Sequence, residues 1–193
     1  MKSDLKAIVY HEAGHVVAGY IYGRRFKRVS IKTSKKSRGS VSSGECEPNN
    51  EFERLGCDGF VEFYDGEILE YIFGMDNPAA WLTRHPEERA RVLRAIRSML
   101  AGFIAQDIGV PGSVKEEMWE EDKRIIKLLG FMLGPDVGDG LWELVTHVRA
   151  DIKENWNLVE RLAEVLLTRK TLSEEEVLGI LNNQQPNRGG NDG

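Results

Sequence analysis

No apolar run in this chain approaches the ~20 residues needed to cross a bilayer. Nor does the sequence open on a basic stretch followed by an apolar one, so no secretory leader is read and the expected compartment is cytoplasmic. Cysteine is scarce. Cys46 and Cys57 are the only two. They form no CxxC pair, so two free thiols are expected rather than a disulfide framework or a second zinc site. No GxxxxGK[ST] stretch is present, which excludes a phosphate loop and an ATPase module from these 193 residues. An excess of basic charge is also missing. The net charge of −5 argues against nucleic acid as a partner. No internal repeat is evident.

What remains is ordinary globular composition, 41% hydrophobic and 30% charged, in a chain long enough for one good core. Charge is uneven along it. A basic stretch from Arg24 to Arg38 is followed by an acidic one from Glu45 to Glu70. Both read as solvated surface.

The most specific signal is His11-Glu12-Ala13-Gly14-His15, an HExxH pattern. Residues four apart stack on one face of a helix, so one divalent ion can take both imidazoles. Glu12 then stands beside the metal, where a base must sit to take a proton from a metal-bound water. The flanks fit a helix. Leu5, Ile8, His11, His15, Ala18 and Ile21 share roughly one stripe. Ser3 and Asp4 are N-cap candidates and Gly23 is a stop.

After this helix, residues 28–33 alternate with period two and predict a half-buried strand, with residues 39–42 returning as its hairpin partner. Residues 44–84 are the least readable part and are expected to be an insertion over the core or the cleft. Residues 60–64 and 68–73 are apolar pieces of undecided type. From Pro86 the pattern is helical. Val92, Leu93, Ile96, Leu100, Phe103 and Ile104 form its core stripe, ended by Gly109-Val110-Pro111-Gly112. Further helices are expected at about 113–133 and from 138 towards 155, with continuation of the last through 167 left open. Ser173 and Glu176 make a capping box for a final helix. Residues 184–193, polar and glycine-rich, are expected to be a disordered tail. The expected fold is mainly α (α+β), one domain over residues 1–183, with a small β-hairpin next to the HExxH helix.

Catalytic zinc normally takes three protein ligands and a water. His85 and His147 are the remaining histidines, and either could instead be a surface residue. Asp122 is the better candidate. It falls on the apolar face of the 113–133 helix, with Met118, Trp119, Ile125 and Ile126 at spacings of three and four. A carboxylate there is costly unless ion-paired or metal-bound. Periodicity alone leaves those two fates equally open.

Tyr10 to Val17, with Ala18 behind, resemble the protease domain of the FtsH family, the membrane-anchored AAA+ zinc proteases. So do Lys27-Arg28-Val29-Ser30-Ile31 with Arg38-Gly39, the small-residue helix Met99 to Gln106, Glu121-Asp122-Lys123-Arg124, and the stretch from Trp156 to Val177. The resemblance covers most of residues 5–43 and 90–182. It implies Asp122 as third ligand to one Zn2+ per chain beside His11 and His15, with Glu12 as the base that activates the zinc-bound water. The activity implied is a metalloendopeptidase, a hydrolase of peptide bonds. The family's ATPase ring and transmembrane helices have no counterpart here, and residues 44–90 match nothing in it. Substrates are therefore expected to be peptides or unfolded proteins, unless a separate ATPase or unfoldase docks. Self-association is left open. A regulatory HExxH peptidase with one protein target, a non-catalytic zinc module and an adaptor of a larger protease are the alternatives.

Overall fold

Ala7, Val9, His11, Glu12, Ala13, Val16, Val17 and Ala18 are all buried, and at about 100° per residue they point to every side of their helix, whereas Leu5, Ile8 and Ile21 are only half-buried. In the computed structural model, which describes residues 2–31, 60–63, 71, 72, 74–114, 130, 133 and 140–182, the first helix is therefore central rather than a surface helix with one apolar stripe. This helix, α1 (Lys2–Tyr22), runs between other elements. The expected stripe marks only one of its buried sides.

Gly23 ends α1 in the left-handed conformation, at φ +70°, and the Arg24 N–H returns 2.8 Å to the Gly19 carbonyl. Glycine adopts that φ without a side-chain penalty. The turn delivers the chain into β1 (Phe26–Ser30), the middle strand of a three-stranded sheet. Its antiparallel neighbours are β2 (Phe60–Phe63) and β3 (Thr171–Ser173). Val29 stands opposite both Val61 and Leu172. Ser30 Oγ and Thr171 Oγ1 share a hydrogen bond of 2.8 Å across the strands.

The strand expected at 28–33 thus begins two residues earlier, at Phe26, and ends at Ser30. Alternation correctly places Val29 and Ile31 inward, since both are buried. It cannot set the ends, which depend on where the partner strands stop. Those partners are distant in sequence, whereas the expected hairpin return at 39–42 lies outside the described residues. So do residues 44–59 and 64–70 of the expected insertion, and the tail at 184–193. The described remainder of that insertion joins the core, through β2 and through the buried Ile72 and Leu82.

Leu82 belongs to α2 (Pro78–Arg84), which starts with Pro78 in its first turn and an Asn77 side chain accepting from the Ala80 N–H at 3.1 Å. The long helix α3 (Pro86–Gly109) follows the same rule, with Pro86 first and Glu87 and Glu88 at the positive end of the helix dipole. It stops where the reading of Gly109 to Gly112 put its end. The helix expected at 113–133 lies mostly outside the described residues.

The helix expected from 138 towards 155 ends there, as α4 (Leu141–Glu154), and the stretch left open as its continuation is a separate helix, α5 (Trp156–Arg169). Asn155 divides them. Its side-chain Nδ2 donates to the Asp151 carbonyl at 2.9 Å, and its backbone N–H reaches the same carbonyl at 3.1 Å. Asparagine competes in this way for backbone groups a continuing helix would use. A last helix, α6 (Glu174–Asn182), carries the expected capping box. Ser173 Oγ accepts from the Glu176 N–H at 3.3 Å and Glu176 Oε2 accepts from the Ser173 N–H at 2.9 Å. No described helix is long and apolar enough to cross a membrane.

Candidate metal centre

Glycine and alanine decide how close α1 and α3 come. A Cβ on Gly14 would lie 2.5 Å from the Ala101 carbonyl oxygen and 2.6 Å from the Ala105 Cβ. One on Gly109 would meet the Tyr10 ring, 2.7 Å from both Cδ atoms. One on Gly102 would sit on the His15 imidazole, 2.6 Å from Nε2. The pairs run in opposite order along the two helices, so α1 and α3 pack antiparallel with a seam of small residues between them.

That seam brings polar atoms of α3 onto both histidines. His15 Nδ1 donates to the Ser98 backbone carbonyl at 2.7 Å. His11 Nδ1 lies 3.1 Å from Gln106 Oε1. A carbonyl oxygen only accepts, so in this arrangement each ring holds its proton on Nδ1 and presents a bare lone pair at Nε2. The two Nε2 atoms are 2.9 Å apart. Burial pushes His15 down to about 4 and His11 well below its ordinary range, so both rings are neutral at pH 7. For His11 the neighbouring His15 adds to this, and for His15 the buried Arg24 does.

Two acceptor lone pairs at that distance repel unless a cation or proton lies between them. A metal ion relieves this, and neutral imidazoles held by second hydrogen bonds are what a divalent transition metal takes. Phe103 adds an apolar wall, its ring edge-on to His11 with centroids 4.5 Å apart.

Glu12 is 2% exposed. Its Oε2 is buried with no hydrogen-bond partner. Burial alone pushes its carboxyl up to about 8. An orphaned carboxylate oxygen costs on the order of 1–3 kcal/mol or more. Its retention next to the histidine pair is the mark of a group waiting for a proton or a ligand.

The other expected ligands divide. His85 is exposed, donates from Nδ1 to the Trp81 carbonyl at 2.7 Å and stacks on the Trp81 ring at 3.9 Å. His147 is exposed on α4. Both are surface residues. Asp122 lies outside the described residues. Among the described residues, no group of three or more His, Cys, Asp or Glu side chains converges for a metal.

Ser98, Gly102 and Gln106 were not singled out as site residues from the sequence. Their signal is a four-residue spacing of small and polar positions inside an otherwise apolar helix. Ser98 and Gln106 are both buried there. No known family model matches this chain, and no curated protein is detectably similar to it.

Proposed function

We propose that this protein is a zinc-dependent metalloendopeptidase whose catalytic domain is of the FtsH-protease kind. The observation that carries the reading is the convergence of two Nε2 lone pairs at 2.9 Å, both backed by acceptors on α3, beside the unpartnered Oε2 of Glu12. His11 and His15 would hold one Zn2+ per chain, with Asp122 as the third ligand. When bound, zinc supplies a Lewis acid for the scissile carbonyl and lowers the pKa of water from about 15.7 to about 7.

The chain's own residues do the rest. Glu12 would take a proton from the attacking water at Oε2, hold it, and give it to the departing amine. Burial raises its carboxyl to about 8, and a dication held beside it would favour the carboxylate form that accepts a proton. Ser98 and Gln106 keep the imidazoles aimed. Phe103 excludes water from one side of His11.

A purely structural zinc site has no use for a buried carboxylate with an empty oxygen, and this favours catalysis over a zinc module that only holds the fold. Substrates would be peptides or unfolded proteins in the cytoplasm, with a separate ATPase feeding folded ones.

The test compares wild type with Glu12→Gln and Asp122→Ala for bound zinc and for cleavage of casein. The expected result is near-stoichiometric zinc in wild type and Glu12→Gln, cleavage in wild type alone, and loss of both in Asp122→Ala. Casein cleavage by Glu12→Gln at the wild-type rate would overturn the assignment of the base. Zinc and activity retained in Asp122→Ala would remove Asp122 from the ligand set.

A further inference from the structure

The two histidines are oriented by unlike groups. His15 is held by the backbone carbonyl of Ser98, which can only accept. His11 is held by the side-chain amide of Gln106, which has an acceptor on one side and a donor on the other. The far side of that amide meets a hydroxyl. Gln106 Nε2 donates to Ser113 Oγ at 3.3 Å. A hydroxyl accepts or donates by rotating about its own bond. Ser113 therefore satisfies the amide in either orientation.

Turned by 180°, the amide gives a second complete network in the same cage. Ser113 donates to Oε1, the amide NH2 donates to His11 Nδ1, and His11 moves its proton to Nε2. His11 Nε2–H then donates to His15 Nε2, across the existing 2.9 Å. Every polar atom in this chain of four side chains is satisfied without a metal. The orientation with Oε1 towards His11 leaves two lone pairs facing each other and needs a cation.

We propose, building on the metal-site reading above, that Gln106 is a two-state positioning residue. Its amide rotates with metal loading, closing His11 as an Nε2–H donor to His15 in the metal-free protein and opening it as an Nδ1–H ligand when a divalent ion arrives. No net charge moves. The ligand-competent state is a fraction of the metal-free population, and apparent metal affinity falls by that fraction.

The turn after α3 is built to hold the second half of this device. The Val110 N–H returns to the Gln106 carbonyl at 2.8 Å, the Ser113 N–H to Val110 at 3.1 Å, and Gly112 at φ +76° reverses the chain between them. This puts the Ser113 hydroxyl back over the Gln106 amide. Gln106 is 2% exposed, so water does not compete for either end.

The experiment reads the His11 ring nitrogens by two-bond 1H–15N correlation NMR. It uses the full chain at pH 7.5, metal-free and with one equivalent of zinc, in wild type, Gln106→Glu and Gln106→Met. Zinc affinity is measured in parallel by competition with a chromophoric chelator. In metal-free wild type, His11 is expected as the Nε2–H tautomer, changing to Nδ1–H with zinc, while His15 keeps Nδ1–H throughout. The ionised Gln106→Glu carboxylate has only acceptors, so at a pH where it is ionised His11 should carry a proton on Nδ1 in both states. Gln106→Met offers neither partner and should bind zinc about 10–100-fold more weakly, the scale of losing a group that orients a ligand. Rescue of that loss by glutamate separates positioning from packing. Metal-free wild type already at Nδ1–H overturns the proposal, whatever the zinc affinity. Should wild type bind no zinc, the protease reading fails by itself. The metal-free tautomers of wild type and Gln106→Glu still decide the amide: different tautomers support its rotation, and the same tautomer refutes it.

Discussion

Glycine-to-alanine is one chemical change, and three helical positions of this chain give it three different neighbourhoods. In the interior of an exposed helix the change stabilises by about 0.8–1 kcal/mol, because alanine loses less backbone entropy. Gly179 on α6 is that case, with nothing within 4 Å of a built Cβ. Gly102→Ala should behave otherwise. Its methyl would overlap the His15 ring, 2.6 Å from Nε2 and 2.9 Å from Nδ1. That ring cannot swing away, since Ser98 holds one nitrogen at 2.7 Å and His11 faces the other at 2.9 Å. The helices cannot part cheaply either, with Gly14 already against the Ala101 carbonyl. Overpacking of this kind costs about 1–3 kcal/mol. Set against the propensity gain, the net loss is about 0–2 kcal/mol, or up to about 8 °C in melting temperature for a chain of this size. Zinc affinity should fall by at least about tenfold, because the displaced atom is a ligand. Gly14→Ala presses on a backbone oxygen instead and should lose more stability, about 2 kcal/mol. Thermal melts of the metal-free variants and chelator competition give both quantities. Gly102→Ala as stable as Gly179→Ala, with unchanged zinc affinity, would refute the packing of α3 against His15.

Three further outcomes follow from particular groups. Metal-free stability should peak near pH 6.5. The histidines, lowered from 6.5, lose their contribution as pH falls towards about 4, while Glu12, raised from 4.5, loses its contribution as pH rises towards about 8. Urea midpoints against pH would read this, and Glu12→Gln should remove the alkaline fall. Lys170, the one described non-glycine residue with positive φ, at 68°, should accept glycine with a gain of about 0.5–1 kcal/mol, seen as a raised melting temperature. Tyr22→Phe should cost about 1–2 kcal/mol in the same assay, since the half-buried hydroxyl donates 2.6 Å to Asp151 Oδ2 under the Arg97 guanidinium.

The parts of this fold legible in the sequence are those with local causes. Pro86 with two glutamates starts a helix wherever it stands, and Ser173 with Glu176 caps one. The histidine pair is local too, since the helix period alone brings positions 11 and 15 together. The parts not legible depend on what lies across space. Whether residues 60–63 form a strand is decided by β1, and β1 finds β3 more than a hundred residues away. The break at Asn155 turns on a side chain choosing the Asp151 carbonyl over solvent, which hydrophobic periodicity does not register. Ser98 and Gln106 were hidden for a related reason. Their role comes from the antiparallel register of α3 on α1, and no pattern within either helix sets that register.

The centre also explains why α1 is buried all round. A helix carrying an orphaned carboxylate oxygen, beside a histidine pair that is satisfied without metal only when the Gln106 amide turns, is a poor element by itself, because each feature costs the metal-free fold. Val9, Ala13, Val16 and Val17, with the sheet and α5 packed around the helix, hold it in place through burial of apolar surface. The polar groups then need not contribute to stability and can be kept in the arrangement a cation would favour. Local rules are broken at one place and offset elsewhere, as is expected of a site selected for chemistry rather than for stability. By the same reasoning zinc should raise the melting temperature in proportion to the logarithm of its concentration over the dissociation constant. Satisfying the Glu12 oxygen is part of its binding free energy, and turning the Gln106 amide is set against it.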